Sequence, residues 1–316
     1  METLSPIFQG IFLLFAAPAL AGWIIWLKAR MQGRRRSWTY IFQPYLNLVT
    51  LFRTPAVHPQ TASWVFRATP WLLFASYAWL MFIIPVFTKP LLAIDFIVVI
   101  YALGLGRFVL SLAGWDTGSA FGGLGGSREM FLHFLTEIGL ILFFAALALR
   151  WDTINFGRIF DNHAQVLHDL PKNLNQEFSQ NFGLIFLAIS LALIILFEAG
   201  RLPIDNPDTH LELTMTHKAI LLEYAGSDLA LVEWAEMIKL MFLFSLFGSL
   251  FLPFHNLWQG FQIPLFTGEM LLLGCLLVVW ELRQARTRLR EVSRFAWTTL
   301  LFSLISIILT VATRKM

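Results

Sequence analysis

The run "MFLHFLTEIGLILFFAALAL", residues 130–149, is twenty residues long and mostly apolar. A helix needs about 20 such residues to cross the hydrocarbon core of a bilayer. Because lipid offers the peptide backbone no hydrogen-bond partners, only helices and closed barrels cross it, and barrel strands show alternating segments of about 10 residues instead. The run therefore predicts a membrane-spanning α-helix.

The composition of the whole chain supports this prediction. Of the 316 residues, 57% are hydrophobic and 14% are charged, whereas a soluble domain carries about 25% charged residues. We predict an all-α integral membrane protein with a single transmembrane domain over residues 1–316. Apolar runs indicate about eight spans, at residues 6–27, 70–87, 91–113, 130–149, 181–199, 232–254, 266–282 and 295–313.

The distribution of Lys and Arg predicts the orientation of these spans. The first connection carries Lys28, Arg30 and neighbouring arginines, and the seventh carries five arginines between Arg283 and Arg294. The positive-inside rule assigns such connections to the cytoplasm. Both termini are then periplasmic, and the protein lies in the cytoplasmic (inner) membrane of a bacterium or archaeon. The first helix is predicted to be retained, since no Lys or Arg precedes it as in a signal peptide.

The first connection also predicts a short amphipathic helix. In "QPYLNLVTLF", residues 43–52, Leu46, Val49 and Phe52 share one side at helical spacing, which is typical of a helix lying at the membrane interface. Two readings of the preceding arginines remain open. They anchor the topology beside anionic lipid, or they dock a partner protein: Arg34, Arg35 and Arg36.

Several ionisable residues occur inside the apolar runs or at their ends. Such residues cost several kcal/mol in lipid unless they are paired or hydrated, and they are therefore functional candidates. Glu129, His133 and Glu137 repeat every four residues on one helix face. Glu233, Glu236 and Lys239 open the sixth run, and Glu198 closes the fifth.

Simpler readings of three of these residues remain open. Glu129 also suits a helix N-terminus, where a negative charge complements the helix dipole. Glu236 and Lys239 also suit an intrahelical ion pair. Asp95, by contrast, is predicted to start a helix at the interface.

The segment "FEAGRLPIDNPDTHLELTMTHKAILLEYAGSD", residues 197–228, holds six carboxylates and two histidines directly after an apolar run. Sheltered carboxylates close to one another have raised pKa values and exchange protons near neutral pH. Pro203 and Pro207 prevent one continuous helix, so we predict a structured cytoplasmic loop. An ordinary solvated acidic loop is the alternative. The relay candidates here are Glu198, Asp205, Asp208, His210, Glu212, His217 and Glu223.

Two segments resemble a membrane subunit of respiratory complex I, named subunit 1 or H, and its homologues in group 4 [NiFe] hydrogenases. They are "EAGRLPIDNPDTHLEL", residues 198–213, and "LLEYAGSDLALVEWAE", residues 221–236. In that pattern Asp208 and His210 replace two glutamates. The matching positions are Glu198, Arg201, Pro203, Asp205, Glu212, Leu213, Glu223, Tyr224, Glu233 and Glu236.

Two further segments extend the resemblance over most of the chain. The segment "GWDTGSAFGGLGGSREMFLHFLTE", residues 114–137, is similar to the family's glycine-rich loop and the helix that bears Arg128 and Glu137. The segment "ARMQGRRRSWTYIFQP", residues 29–44, is similar to its arginine-rich first loop. The residue pattern of these segments is more similar to the hydrogenase branch, of the hydrogenase-4 component C and formate hydrogenlyase subunit 4 type. Asn47 and Thr50 depart from the family pattern after Gln-Pro.

The resemblance implies a non-catalytic subunit of an oxidoreductase complex. It would connect a peripheral electron-transfer arm to the membrane arm and provide a proton or ion pathway. The implied partners are a hydrogenase-like large subunit, an iron-sulfur small subunit and antiporter-like membrane subunits, together with the lipid bilayer and without nucleic acid. The [NiFe] centre and the iron-sulfur clusters would belong to those partners, and no cofactor or metal is expected in this chain.

The residues expected to act fall into two groups. Arg34, Arg35, Arg36, Arg128 and Arg201 are assigned to partner docking. The proton pathway is assigned to Glu129, Glu137, Glu198, Asp205, Asp208, His210, Glu212, Glu223, Glu233, Glu236 and Lys239.

Three alternatives remain open. A true complex I subunit would bind quinone between these helices. A stand-alone secondary transporter would be expected to show an internal repeat, and none is apparent. A purely structural anchor would use the acids only to hold the peripheral arm. The lone Cys275 is expected to be a small buried hydrophobe.

Overall fold

The computed structural model describes residues 4–88, 90, 92–169, 178–200, 217–252, 261–284 and 289–314. A short 3-10 helix, Trp38–Phe42, precedes α2. The α-helices are α1 Leu4–Met31, α2 Gln43–Arg53, α3 Trp64–Leu80, α4 Phe96–Asp116, α5 Ala120–Trp151, α6 Phe156–Asp169, α7 Phe178–Glu198, α8 His217–Leu221, α9 Gly226–Phe251, α10 Gln262–Arg283 and α11 Leu289–Arg314.

The all-α fold class is confirmed. Over the described ranges, the extended backbone pairing is limited to one isolated bridge between Asp95 and Asn155. Each predicted apolar run overlaps a helix, while the exact number of spans remains a prediction. Within α7 and α11, the stretches Gly183–Glu198 and Trp297–Ala312 are apolar but shorter. Among the described residues, four helices are long and apolar enough to cross a membrane: Pro6–Met31, Phe96–Asp116, Ala120–Trp151 and Gln262–Arg283.

The glycine-rich connection is much shorter than its sequence predicts. Only Thr117, Gly118 and Ser119 separate α4 from α5, and the Ser119 hydroxyl caps α5 by accepting from the Gly122 amide. Tertiary packing overrides the poor helix propensity of glycine. A Cβ atom on Gly114 would lie 2.8 Å from the Gly122 carbonyl oxygen. Gly114 and Gly122 therefore allow α4 and α5 to cross in close contact.

The second span also differs from its prediction. Helix α3 ends at Leu80, although the apolar run continues to residue 87. Gln9 of α1 stabilises the turns that follow, because its side chain donates to the Ile84 carbonyl and accepts from the Phe87 and Thr88 amides. A buried side-chain amide thus replaces the helical hydrogen bonds that the run would otherwise make.

Helix α9 lies at the centre of the bundle, and most of its side chains are buried. It contacts α1, α2, α3 and α7, while α5, α7 and α11 pack together beside it. Thr61 donates to the Thr117 carbonyl and the Ser63 amide donates to Asp116, so the start of α3 meets the end of α4. We call this the site end of the bundle.

Two further predictions concern the bundle surface. Helix α2 forms as predicted, and Leu46, Val49 and Phe52 are exposed on it, as suits a helix at the membrane interface. The predicted burial of Cys275 is wrong, since this residue is exposed on α10. Leu271, Leu272 and Leu276 are exposed on the same helix. An apolar position on an outer helix faces outwards instead of into the core.

Candidate functional site

Arg107 is the centre of the site, and it is buried on α4 with 3% exposure. Its Nη2 donates to the carbonyl oxygens of Phe197, at 3.2 Å, and Glu198, at 2.9 Å. Its Nε lies 3.0 Å from Glu198 Oε2 and 3.9 Å from Glu129 Oε1. One guanidinium group therefore joins α4, α5 and the C-terminal end of α7, where helix carbonyls lack intrahelical partners. A positive charge at that end also complements the helix dipole.

The predicted face of α5 continues from this cluster. Glu129 and His133 are buried, and Glu137 is half-buried one turn further along. The His133 Nε2 atom lies 3.5 Å from Glu137 Oε2. Gly104 of α4 leaves room for both side chains, since a Cβ atom there would be 3.5 to 3.6 Å from them. The spacing of Glu129, His133 and Glu137 thus produces a row of ionisable groups between α4 and α5.

A second group lies on α9 and α8. Lys239 is 2% exposed, and its Nζ lies 2.6 Å from Glu236 Oε2. The His217 Nε2 atom lies 3.8 Å from Glu236 Oε1. Burial holds the pKa of His217 below its usual range, although the Glu236 carboxylate acts in the opposite direction. The predicted ion pair of Glu236 and Lys239 is present, with Lys239 buried and Glu236 half-buried.

A cavity of about 670 Å³ joins these groups to the arginine-rich first connection. It reaches Arg107, Glu129 and Glu198 on one side and Glu233, Glu236 and Lys239 on the other. Its rim includes Lys28, Arg34 and Arg36 from the first connection. The two ion clusters therefore share one internal space, which is large enough for a small molecule or several waters.

The segment 223–228 fixes the start of α9 against the first turn of α3 and the connection before it. The Tyr224 ring stacks on Phe66 with centroids 4.1 Å apart, and its hydroxyl donates to the Phe66 carbonyl at 3.1 Å. Asp228 lies 3.6 Å from His58, and burial raises the pKa of Asp228 although His58 acts to lower it. Tyr224 and Asp228 therefore pack the start of α9, and Glu223 is not among the described residues that line the cavity.

The predicted site residues are thus only partly brought together. The cavity is lined by Glu129, Glu198, Glu233, Glu236 and Lys239, and Glu137 ends the row on α5, beside His133. Among the predicted docking residues, Arg34 and Arg36 line the rim, Arg35 is exposed and Arg128 is half-buried. Five predicted residues lie outside the described residues: Arg201, Asp205, Asp208, His210 and Glu212.

Several buried or paired ionisable residues were not predicted as site candidates from the sequence. Arg107 interrupts the third apolar run, and the rule that flags Glu137 also applies to it. Lys28 lies 3.1 Å from Glu281, and this ion pair joins α1 to α10. Glu269 is buried on α10. The common signal is a charge within or at the end of an apolar run.

A family model described as NADH dehydrogenase matches residues 6–312, nearly the whole chain. The chain belongs to the NADH dehydrogenase subunit 1 family. This membership confirms the predicted resemblance to the complex I subunit and its hydrogenase homologues.

Two curated proteins of Escherichia coli (strain K12) are similar to this family member. Hydrogenase-4 component C is 33% identical over 298 residues, which cover 92% of this chain and 90% of that protein. Formate hydrogenlyase subunit 4 is 28% identical over 323 residues, which cover 98% of each. The chain is therefore a membrane subunit of a complex I-like complex.

The fold is also found in a solved structure, that of the membrane-bound sulfane sulfur reductase, an archaeal respiratory membrane complex. One of its chains matches with a TM-score of 0.79 and 16% identity, over 97% of this chain and 98% of that chain. At this identity the match shows a shared fold.

Proposed function

We propose that this subunit attaches a soluble electron-transfer arm to the membrane and carries the first part of an ion pathway driven by that arm. The proposed partners are a hydrogenase-like large subunit and an iron-sulfur small subunit at the site end, with antiporter-like subunits in the membrane. The redox centres, [NiFe] and iron-sulfur clusters, would belong to the arm. The exposed Arg34 and Arg35 suit the docking of a protein with an acidic surface.

The observation that carries this proposal is the pair of buried ion clusters on one cavity. The Arg107 cluster holds Glu129 and Glu198, and the second cluster holds Glu236 and Lys239. In a low-dielectric setting, the proton affinity of one such carboxylate depends strongly on the charge of its neighbours. A proton that enters at the rim therefore changes the affinity of the next group, which is the physical requirement for a relay.

The row on α5 gives this relay a direction. His133 lies between Glu129 and Glu137 along the helix, and its Nε2 is 3.5 Å from Glu137. Each ring nitrogen of a histidine can bind or release a proton, so an imidazole can join two acidic groups. Glu129, His133 and Glu137 would thus pass a proton from the cavity towards the middle of α5.

The experiment measures ion uptake and redox turnover together. The intact complex is reconstituted into vesicles, with an artificial electron donor and acceptor and a pH-sensitive dye inside. Glu137→Gln and Glu236→Gln keep the side-chain shape and remove the titratable group. We expect both variants to assemble, to retain redox turnover and to lose most of the ion uptake per electron.

Asp161→Asn is the matched control, because Asp161 is an exposed carboxylate on α6, away from the cavity. It should leave the ratio of ions to electrons unchanged. Unchanged ratios in both glutamine variants would reject the relay and leave the subunit as an anchor.

A second candidate function is quinone binding in the same cavity. The volume of about 670 Å³ lies within the usual range for small-molecule sites, and Ile24, Leu132 and Met237 give it apolar walls beside the charged groups. Extraction of the purified complex, with identification of the lipids released, tests this directly. Stoichiometric quinone in the extract would favour this function, and its absence would count against it.

A further inference from the structure

Tyr77 of α3 lies against one residue of each region that carries an ion cluster, Gly106 of α4 and Lys239 of α9. It is completely buried, and its hydroxyl end packs against Gly106. A Cβ atom on Gly106 would lie 2.5 Å from Tyr77 Cζ and 2.6 Å from Tyr77 Oη. Gly106 directly precedes Arg107 in α4, so the phenol group lies beside the backbone that carries the Arg107 cluster.

The same ring faces the second cluster. Lys239 Nζ lies 5.5 Å from the centroid of the Tyr77 ring, within the range of a cation–π contact. Lys239 in turn contacts Glu236 at 2.6 Å. One side chain from α3 therefore touches α4 beside Arg107 and α9 at Lys239.

The Tyr77 hydroxyl has an unusual environment for a buried phenol. Its oxygen is fully buried and forms no hydrogen bond within the described parts of the chain. Buried tyrosine hydroxyls usually find a partner. Tyr224 shows the ordinary case, since it is also buried on the site end and its hydroxyl donates to the Phe66 carbonyl. A structural role explains the hydroxyl of Tyr224 and leaves that of Tyr77 unexplained.

We propose that the Tyr77 hydroxyl is the proton-transferring contact between the Arg107 cluster and the Glu236–Lys239 pair. This inference rests on the proposed ion pathway and names the group that joins its two halves. A phenol donates one hydrogen bond and accepts others. When its oxygen receives a proton from a water on one side, it releases its own proton to a water on the other side. Tyr77 is then neutral again, and no electron or covalent bond is transferred.

The test uses the intact complex in vesicles, with ion uptake and redox turnover measured together. Tyr77→Phe removes only the hydroxyl and keeps the ring against Gly106 and Lys239. We expect the number of ions taken up per electron to fall about 100-fold, which is the lower end of the contribution of a positioned proton-transferring group. Assembly and redox turnover should persist. Tyr224→Phe is the matched control, and it should keep the normal ratio.

A second variant guards against a purely structural loss. Replacing Tyr77 with 3-fluorotyrosine keeps the hydroxyl and makes it more acidic. The number of ions taken up per electron should then return to normal, while the speed of ion uptake should differ from that of the natural protein. Normal coupling in Tyr77→Phe, or a 3-fluorotyrosine protein as uncoupled as Tyr77→Phe, would overturn this inference.

The glutamine variants separate this failure from that of the proposed function. If Glu137→Gln and Glu236→Gln lose coupling while Tyr77→Phe keeps it, only the role of Tyr77 is rejected. If all three keep it, the ion pathway itself is rejected.

Discussion

Helix α7 makes two different kinds of polar contact along its length. Near its middle, Ser190 Oγ lies 2.6 Å from Ser303 Oγ of α11, and Ser306 Oγ donates to the Gly183 carbonyl at 3.0 Å. At its C-terminal end, Glu198 meets Arg107 of α4 at 3.0 Å. Both contacts bury polar atoms between helices, but one is neutral and the other is charged.

The surroundings of the two contacts differ as well. The hydroxyls of Ser190 and Ser303 satisfy each other and border no part of the cavity. Arg107 and Glu198 both line it. Removing charges from water costs several kcal/mol per ion, so a buried ion pair is weak evidence of a stabilising role. A neutral contact joins α7 to α11, whereas the contact of α7 with α4 uses charges whose burial is costly, and the proposed ion pathway gives those charges a use.

Arg107→Met should give the largest effect on stability. It leaves Glu198 and Glu129 buried without their cation and removes the donor to two α7 carbonyls. Breaking a buried ion pair by removing one partner costs about 3–5 kcal/mol. We expect a clear loss of thermal stability of the purified complex, measured by heating in detergent.

The double variant Arg107→Met with Glu198→Met sharpens this result. Replacing both charges should recover part of the lost stability, while Glu129 still lacks its partner. Ion uptake should remain lost in the double variant. Stability close to that of the natural protein in Arg107→Met alone would show that the cluster does not hold its helices together.

His163 on α6 is a buried titratable residue outside both contacts, so it tests whether a buried titratable group is by itself enough to affect ion uptake. It is fully buried between the rings of Trp151 and Phe251 and contacts no carboxylate in the described structure. Burial, assisted by Arg150, lowers the pKa of His163 to about 4. The folded protein therefore keeps this ring neutral, and it should act as a packing group.

The sign of the pH effect follows from this lowered pKa. Above pH 6.5 both states are neutral and stability is complete. Between 6.5 and about 4 the unfolded chain binds a proton that the folded chain does not, so stability falls as the pH falls, by about 3 kcal/mol in total. His163→Phe should flatten this part of the stability curve without changing ion uptake. Parallel curves for the two proteins would contradict the assignment.

Ser190→Ala and Ser303→Ala should give the smallest effects. Hydrogen bonds between membrane helices contribute about 0.6 kcal/mol on average. The two changes share one contact, so the double variant should cost less than the sum of the single ones. All three proteins should retain normal ion uptake. A loss of coupling in either single variant would break the distinction between the neutral and the charged contact.

The helices could be predicted from the sequence because apolar length is a local property. Residues 130–149 lie inside α5, and residues 43–52 lie inside α2. The ends could not be predicted where packing decides them. The segment 122–126 belongs to the glycine-rich loop of the resemblance, yet it is helical, and Gly122 and Gly126 pack closely against α4. Helix α3 ends early because Gln9 binds the turns after it.

The carboxylates of the candidate site could be predicted from the sequence, but Arg107 at its centre could not. Glu129, Glu198 and Glu236 stand out because a charge in or beside an apolar run needs an explanation. Arg107 follows the same rule, but its partners come from two other helices, α5 and α7, which no local pattern connects to it. Tyr77 is chemically ordinary until Gly106 and Lys239 are placed against it, so no local pattern could single it out.

The central claim is that the carboxylates of the proposed ion pathway, Glu137 among them, change their protonation during turnover. The most direct measurement is the redox-induced infrared difference spectrum of the intact complex, compared between the natural protein and Glu137→Gln. We predict that turnover changes the carbonyl-stretch band of protonated carboxylic acids and that this change is diminished in Glu137→Gln but not in Asp161→Asn. A natural protein without any such band change, or a change of the same size in all three proteins, would contradict the account.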